Sequence, residues 1–525
     1  MTDPSTELAR GLLATLVEAG VTEVVVAPGS RNAPLSFAAL GAAAGGAVRL
    51  HTRIDERSAG FLAVGLTRSH ARAAVVCTSG TAVANLHPAV LEAAHAGLPL
   101  VVVTADRPAR LRGTDANQTT DQVGVFGRLV PTVDVADPAA VVLAEAGPTH
   151  LNVQLDDPLV PDGGWTLGPV ASPEPHWSAD HPEATELPLG PRTVVVAGDD
   201  AAQGARQLAE SAGWPLLAEP TSGSRTGDHA LRCYRLLLDT DLGRRIERVV
   251  VFGRPTLSRP VTRLLGRRDV EVCSVPARGV WSQRPYAVAL TAPAFAVSAA
   301  DDPAWLAEWR DADRSVAARL DALLAAEPDL TPYEVAGAVT RALPPGGQLV
   351  VGASSPIRDL DLMVRPYPVG SRRKTIANRG LSGIDGVVST AIGAALGRSS
   401  DAPTYALMGD VTFLHDSNGL VLGPDEPRPD LTIVVVNDDG GSIFTMLEQG
   451  APEHAAAFER LFGTPHRVDL AALCAATRTP HWRVESLPEL EQALASPNGG
   501  IEVVEVRVRR DNRRELDARI RALGA

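Results

Sequence analysis

The chain has 525 residues, of which 45% are hydrophobic and 21% are charged, and its formal net charge is −13. This length predicts about three domains, because a single hydrophobic core stops growing at roughly 250–300 residues. The acidic charge disfavours nucleic acid as a partner, and no apolar run is long enough for insertion into a membrane.

The first part of the chain predicts an α/β domain with a parallel sheet. An amphipathic segment at 8–17 precedes a strand at 22–27, and apolar strands follow at 73–77 and 100–103. Short β-branched runs that alternate with helical periods are typical of a doubly wound parallel sheet. Residues 161–191 are rich in Pro, Gly and Asp and have no clear period, so we predict a linker there.

Two further blocks of the same kind follow. The second begins with a strand at 193–198 and ends with an Ala-rich helix at 305–326, and a break at 328–332 separates it from the third. The third block contains strands at 348–351 and 501–506 and resembles the first in plan. We predict three doubly wound parallel-sheet domains, with bounds at 1–185, 186–330 and 331–525.

Two strands of the third block end in acidic residues. The first runs into Gly409-Asp410, and the second, at 431–436, runs into Asn437-Asp438-Asp439-Gly440-Gly441, so that Asn437 lies 27 positions after Asp410. The carboxyl ends of parallel strands meet at one edge of a sheet. Two carboxylates and a free backbone carbonyl at that edge suit Mg²⁺ carrying a diphosphate. Gly-Asp and Asp-Gly pairs are also ordinary turn formers, but their position after consecutive strands favours the metal site.

An acid and several polar turns complete the pattern. Glu56 lies in the first turn of a predicted helix, where the helix dipole alone favours an acid. Polar turns or loops, most of them carrying an arginine, occur at 27–35, 104–108, 113–118 and 377–386. Each of these turns would be ordinary by itself.

Together these motifs resemble the thiamine-diphosphate-dependent enzymes, in which a Gly-Asp pair is followed further along the chain by a doubled Asn. The resemblance implies that Asp410, the Asp438 side chain and the Gly440 carbonyl hold Mg²⁺, or Mn²⁺, on the cofactor diphosphate. Val411 stands where the family usually has Gly. Asp438 replaces the second Asn, which keeps an oxygen ligand and adds a negative charge. Ile443 falls where the family has the bulky apolar residue that holds the cofactor bent.

The same resemblance gives the first block its part in the site. It implies that Glu56 hydrogen-bonds the aminopyrimidine of thiamine diphosphate and promotes loss of the thiazolium proton, a task that suits a carboxyl group with a raised pKa. In this family the two halves of the site come from different subunits, which implies a homodimer or a homotetramer. The other cofactor-binding residues implied are Pro28, Gly29, Ser382, Ile384, Gly409 and Phe444.

The arginine-bearing turns narrow the resemblance to the menaquinone-pathway synthases of this family, which decarboxylate 2-oxoglutarate and add the succinyl unit to isochorismate in a conjugate sense. Both substrates carry two carboxylates. Lys374 is the only lysine among 49 basic residues, so anion sites must use guanidinium groups, which bind carboxylates bidentately. The resemblance implies catalytic roles for Glu56, Gln118 and Arg379. It implies substrate binding by Ser30, Arg31, Arg107, Asn117, Gln118, Ser354, Arg358, Arg379, Ile443, Phe444 and Leu447.

The middle block has fewer recognisable motifs, and Arg278 is the basic residue that we single out there as a candidate for the substrate pocket.

Two alternative functions stay open. Another thiamine-diphosphate-dependent decarboxylase or carboligase, such as an acetohydroxyacid synthase, would need a small apolar pocket for pyruvate, and the density of arginine motifs disfavours it. A non-catalytic protein of the same fold would have no reason to keep both Glu56 and Asp410.

The cysteines and the N-terminus predict a cytoplasmic location. Residues 1–4 do not begin a basic region followed by an apolar stretch, so no signal peptide is expected. The cysteines have neither metal-like nor redox-like spacing and are expected to be reduced and buried. They are Cys77, Cys233, Cys273 and Cys474.

Overall fold

The structure is a computed structural model that describes residues 3–170 and 183–524. Part of the predicted linker, residues 171–182, lies outside the described residues. The described chain forms parallel sheets flanked by helices, which confirms the predicted α/β class. Within these two ranges no helix has the length and apolar character needed to cross a membrane.

The first sheet has the strand order β2–β1–β3–β4–β6–β5 once its strands are numbered along the chain, and all of its pairings are parallel. Three of these strands (β1, β3 and β4) are buried along their whole length, because helices cover both faces of such a sheet. The strands are β1 (Glu23–Val26), β2 (Arg49–Thr52), β3 (Ala73–Cys77), β4 (Val101–Asp106), β5 (Thr132–Val135) and β6 (Thr149–Gln154). The helices are α1 (Pro4–Glu18), α2 (Ala33–Ala44), α3 (Glu56–Arg68), α4 (Thr81–Asn85) and α5 (His87–Ala96).

The middle sheet has the order β12–β11–β10–β8–β9, and the short strands β7 and β13 pair separately. The strands are β7 (Thr185–Glu186), β8 (Thr193–Ala197), β9 (Leu216–Ala218), β10 (Arg248–Phe252), β11 (Glu271–Ser274), β12 (Leu290–Thr291) and β13 (Phe295–Ala296). The helices are α6 (Gly204–Ala212), α7 (Tyr234–Leu237), α8 (Asp241–Arg244), α9 (Arg259–Leu265) and α10 (Pro303–Ala325).

The third sheet repeats the topology of the first, with the order β15–β14–β16–β17–β19–β18. The strand order reverses between β1 and β3 in the first sheet and between β14 and β16 in the third, and ligands bind beside such switch points. The strands are β14 (Gln348–Val351), β15 (Lys374–Ile376), β16 (Thr404–Gly409), β17 (Leu431–Asn437), β18 (His481–Val484) and β19 (Ile501–Arg507). The helices are α11 (Pro332–Ala342), α12 (Ser355–Met363), α13 (Val387–Leu396), α14 (Asp410–His415), α15 (Ala455–Phe458), α16 (Leu470–Ala476), α17 (Leu487–Ala495) and α18 (Arg513–Ala522).

The first and third parts of the chain share one hydrophobic core, in which α3 packs against α13. Two glycines allow the close approach of these helices. A Cβ on Gly65 would lie 2.2 Å from the Thr390 carbonyl oxygen, and one on Gly393 would lie 2.1 Å from the Leu62 carbonyl oxygen. A second core joins the middle and third parts, so each part of the chain is held against the third sheet.

Candidate active site

A cavity of about 150 Å³ lies at the carboxyl ends of β14, β16 and β17, beside the switch point of the third sheet. Strand β16 ends at Gly409 and α14 begins at Asp410, while β17 ends at Asn437, one residue before Asp438. The structure therefore brings many of the residues predicted to bind cofactor or substrate together. Those that line the cavity are Ser354, Ile384, Gly409, Asp410, Asp438, Gly440, Ile443 and Phe444.

The two acidic strand ends face each other in this cavity. Asp410 is buried, and its Oδ2 accepts a hydrogen bond from the Gly440 N–H at 2.9 Å and lies 3.0 Å from His466 Nε2. Asp438 Oδ1 is buried and has no hydrogen-bond partner among residues 3–170 and 183–524. Burial and the nearby Asp410 carboxylate raise the pKa of Asp438, and burial also raises the pKa of Asp410. The site thus concentrates negative charge that a cation would stabilise.

These residues fit a divalent metal ion. In the described part of the chain, no cluster of three or more His, Cys, Asp or Glu side chains suits a metal, so a cation here would need backbone and phosphate oxygens as well. Position 440 requires glycine, because its φ is 147° and a Cβ there would lie 2.1 Å from the Gly463 carbonyl oxygen. The Gly440 carbonyl accepts the Ser442 N–H at 3.2 Å and keeps a second lone pair for a cation. Asp410, Asp438 and Gly440 would hold the metal. The metal would supply the partner that the buried Asp438 Oδ1 lacks among the described residues.

Replacing Asp438 by Asn should stabilise the metal-free protein and weaken metal binding. Removal of one of two buried like charges is expected to raise the free energy of unfolding by about 1 kcal/mol. The amide oxygen is a weaker ligand, so the affinity for Mg²⁺ should fall about tenfold. Thermal unfolding with and without Mg²⁺ and cofactor measures both effects. An unchanged Tm without metal, together with an unchanged gain on adding metal, would contradict this assignment.

Two arginines converge at the carboxyl end of β14. Arg358, on α12, donates from Nη1 to the Ser354 carbonyl at 2.6 Å, and Ser354 has a φ of +72°, a conformation that non-glycine residues adopt mainly under local constraint. Arg379 is buried, and its Nη2 donates to Thr256 Oγ1 at 2.8 Å. Burial and the nearby Arg379 guanidinium lower the pKa of Arg358. Two adjacent cations make this edge of the site attractive to carboxylates.

The middle part of the chain contributes a turn that sequence reasoning missed. Thr256 and Arg259 follow β10, and the Arg259 charge also contributes to lowering the pKa of Arg358. Arg278 lies elsewhere, with an exposed side chain 3.3 Å from Asp200. The turn after β10 lies in the middle sheet and reaches Arg379 across 123 positions of sequence, so no local pattern marked it.

Glu219 is buried beneath this turn. Its Oε1 accepts the Leu257 N–H at 2.9 Å, and its Oε2 has no hydrogen-bond partner among the described residues. Burial raises the pKa of Glu219 from 4.5 to about 8, although the charge of Arg379 opposes the shift. The carboxyl group is therefore most stable with its proton on.

Stability should fall with rising pH because of Glu219. The folded protein keeps the Glu219 proton while the unfolded chain releases it, so the stability contribution is full below about pH 4.5 and is lost as the pH rises to about 8. Glu219→Gln should remove this loss and be more stable than the wild type by on the order of 2 kcal/mol at pH 8.5, but not at pH 4.5. Urea unfolding at both pH values measures the difference. A constant difference across the range would contradict the raised pKa.

A second group of predicted residues lies at the carboxyl edge of the first sheet. Arg107 Nη1 donates to Ser79 Oγ at 2.7 Å and to the Gln118 carbonyl at 2.8 Å, and Gln118 Nε2 donates to the Ser79 carbonyl at 2.7 Å. Burial and the nearby Arg31 guanidinium lower the pKa of Arg107, which places these two cations close together. The turn after β1, which carries Pro28, Gly29 and Ser30, and the exposed Asn117 belong to the same edge.

Glu56 is the first residue of α3, as predicted. Asp55 caps this helix, because its side chain accepts the N–H groups of Arg57 and Ser58. The Glu56 Oε2 accepts a hydrogen bond from Asn85 Nδ2 at 3.1 Å and, within the described chain, Glu56 does not line the Asp410 cavity. One chain therefore presents two separate groups of site residues. Two other predicted residues, Ser382 and Leu447, are not among the described residues that line this cavity. Each lies within four residues of a residue that lines it.

Sequence comparison identifies the cofactor class. Residues 6–125 match the model for the thiamine pyrophosphate enzyme N-terminal TPP binding domain, and residues 361–506 match that for the C-terminal TPP binding domain. Thiamine pyrophosphate and thiamine diphosphate are the same compound. The matches contain Glu56 and the Asp410–Asp438 pair respectively, which confirms thiamine diphosphate as the cofactor.

Curated relatives named 2-succinyl-5-enolpyruvyl-6-hydroxy-3-cyclohexene-1-carboxylate synthase match essentially the whole chain. The relative from Nocardioides sp. is 71% identical over 99% of this chain and 98% of its own length. Those from Kineococcus radiotolerans and Rhodococcus erythropolis are 48% and 44% identical, each over 99% of both chains. The chain belongs to the 2-succinyl-5-enolpyruvyl-6-hydroxy-3-cyclohexene-1-carboxylate synthase family of thiamine pyrophosphate enzymes.

Proposed function

We propose that this protein decarboxylates 2-oxoglutarate and adds the resulting succinyl unit to isochorismate in a conjugate sense. The products are 2-succinyl-5-enolpyruvyl-6-hydroxy-3-cyclohexene-1-carboxylate and CO₂, and the step belongs to menaquinone biosynthesis. The observation that carries this proposal is the pair of converging arginines, Arg358 and Arg379, beside the acidic diphosphate cavity. Substrates that carry two carboxylates each match such a site, whereas pyruvate would require fewer cations.

The acidic cavity would anchor the cofactor. Asp410, Asp438 and the Gly440 carbonyl would hold Mg²⁺, or Mn²⁺, on its diphosphate, and Ile443 would support its bent shape. When bound, thiamine diphosphate supplies the electron sink for the loss of CO₂. Glu56 would donate a hydrogen bond to, or accept one from, the aminopyrimidine and hold the proton that moves there.

The arginines would orient the substrates. We assign the isochorismate carboxylates to Arg107 and Arg379, and the distal carboxylates to Arg31 and Arg358. Ser30, Asn117, Gln118 and Ser354 would add hydrogen bonds, and Ile443, Phe444 and Leu447 would add apolar contacts. Fixed guanidinium groups raise the rate because they hold the reacting atoms in place. The entropy of bringing the reactants together is then lost on binding and not in the chemical step.

We also propose that the enzyme is a homodimer, or a homotetramer built from such dimers, with each site shared between subunits. The separation of Glu56 from the Asp410 cavity within one chain supports this arrangement. So does the volume of the cavity, which is about 150 Å³, below the roughly 300–1,000 Å³ of complete small-molecule sites.

Mixing two inactive variants tests the shared site. Glu56→Gln and Asp410→Ala homodimers should each be inactive, but a mixed dimer pairs the intact Glu56 of one subunit with the intact Asp410 of the other. Unfolding and refolding an equal mixture should restore about a quarter of wild-type activity, because half of the dimers are mixed and each has one intact site. Sites confined to one chain would give no recovery.

We propose the domain bounds 1–185, 186–330 and 331–525, which leave each of the larger sheets of the described chain within one domain. We also propose a cytoplasmic location. Its support is that the four cysteines, all within the described residues, are buried and unpaired, as expected in a reducing compartment.

A spectrophotometric assay tests the proposed reaction. Purified protein with thiamine diphosphate, Mg²⁺ and 2-oxoglutarate should consume isochorismate. The decrease in isochorismate absorbance measures the rate. Replacing 2-oxoglutarate by pyruvate is the matched control and should give no turnover. Turnover of pyruvate alone, with no use of 2-oxoglutarate, would favour an acetohydroxyacid-synthase-like activity and overturn the proposal.

A further inference from the structure

We propose that Glu92, a buried residue of α5 outside the site described above, is a positioning residue that fixes Arg379 in the active site. The inference rests on the proposed role of Arg379 in binding a substrate carboxylate. Glu92, in the first part of the chain, would then support the group of site residues that belongs to the third part.

The contact joins α5 to the segment that directly follows Arg379. Glu92 Oε1 accepts the Gly380 N–H and Glu92 Oε2 accepts the Leu381 N–H, both at 2.8 Å. Arg68, on α3, donates from Nη2 to Glu92 Oε1 at 2.9 Å. The carboxylate therefore uses both oxygens on two consecutive backbone amides while one arginine balances its charge.

The fit around Gly380 is tight. A Cβ on Gly380 would lie 2.5 Å from the Glu92 carbonyl oxygen and 3.0 Å from the Ala96 backbone nitrogen. The backbone of the Arg379 segment thus rests directly on α5. Buried hydrogen bonds to a charged acceptor contribute more than neutral ones, and an amide left without its acceptor costs more still.

Arg379 needs this kind of support because its own charge must stay available. Among the described residues, no acidic side chain lies within ion-pair distance of the Arg379 guanidinium, and its Nε is buried without a hydrogen-bond partner. A carboxylate bound directly to the guanidinium would compete with substrate. Glu92 avoids this competition by holding the backbone one and two residues further on, while Thr256 Oγ1 accepts from the side chain.

A purely structural role for Glu92 predicts different behaviour. If it only joined the first and third parts of the chain, its loss would reduce stability and lower the active fraction equally for both substrates. A positioning role predicts a selective loss for the substrate that Arg379 holds.

Glu92→Gln is the test variant, with Ser69→Ala as its matched control. Glutamine keeps the shape, but its amide group cannot accept the second backbone N–H. Ser69 lies near the same contact, where its Oγ donates to the Ala394 carbonyl at 2.9 Å, and its replacement removes a hydrogen bond between the same parts of the chain without touching the Arg379 segment.

Hydrogen exchange gives a readout that does not depend on activity. In Glu92→Gln, the peptide covering residues 377–386 should exchange one more amide on the fast timescale than in the wild type, while Ser69→Ala should match the wild type. Equal protection in all three proteins would overturn the proposal. Should Glu92→Gln fail to fold, Glu92→Asp keeps the charge near Arg68 but draws it back from the amides, and should show the same loss of protection.

Kinetics give the second readout. The KM for isochorismate should rise about tenfold in Glu92→Gln, while kcat and the KM for 2-oxoglutarate stay within about threefold of wild type. Equal changes in both KM values, or the same pattern in Ser69→Ala, would overturn the positioning role. A wild-type protein that turns over neither substrate would overturn the proposed function alone, because hydrogen exchange would still decide whether Glu92 holds the Arg379 segment.

Discussion

Replacing Glu56 by glutamine is expected to lower kcat by about 10³-fold while leaving the affinity for thiamine diphosphate within about threefold of wild type. Glutamine can still hydrogen-bond the aminopyrimidine, but it cannot hold the proton that must move. Steady-state kinetics at saturating cofactor, together with calorimetric titration of cofactor, separate these two effects.

The control for this variant is the neighbouring acid, Asp55. Asn is as good an N-cap as Asp, so Asp55→Asn keeps the start of α3 and removes a charge one position away, together with the acceptor of an exposed hydrogen bond from Asn418 Nδ2. It should retain the wild-type rate within about threefold. Full activity of Glu56→Gln, or an equal loss in Asp55→Asn, would contradict the assigned role.

Replacing Asp410 by alanine should lower the affinity for cofactor and Mg²⁺ by about 100-fold or more, since it removes a charged ligand from a buried site. The metal-free protein should fold, because one of two repelling carboxylates is gone. Calorimetric titration of thiamine diphosphate at fixed Mg²⁺ measures the loss.

The matched control is Asp439→Asn, which changes an acid in the same turn that is not among the assigned ligands. It should bind cofactor within about threefold of wild type. This comparison tests the choice of Asp438 over Asp439, because the Asp439 side chain instead accepts the Arg467 N–H. Wild-type affinity in Asp410→Ala would remove Asp410 from the metal site.

Much of the site was predictable because strand ends are visible in a sequence. The apolar runs before Asp410 and Asp438 end where β16 and β17 end to within one residue, and the residues after parallel strands gather at one edge of the sheet. The start of α3 near Glu56 was equally predictable, because an acid in the first turn before a helical run suits the helix dipole. Local sequence patterns determine these element ends, so the predicted and observed positions agree closely.

Other features depend on contacts between distant parts of the chain. Glu92 and Gly380 are separated by 288 positions, and no local pattern marks either one as a partner of the other. Thr256 meets Arg379 only because the middle sheet docks against the third. For the same reason Arg278 stays only a prediction, since composition alone cannot say which turn of the middle sheet faces the site.

The paired glycines at the crossing of α3 and α13 have a consequence for cooperativity. Because Gly65 and Gly393 let these helices touch backbone to backbone, the first and third parts of the chain bury a single shared core. Neither part can lose its structure without exposing the interior of the other. Fragments expressed separately at the predicted bounds should therefore aggregate, and the intact chain should melt in one transition that includes both half-sites.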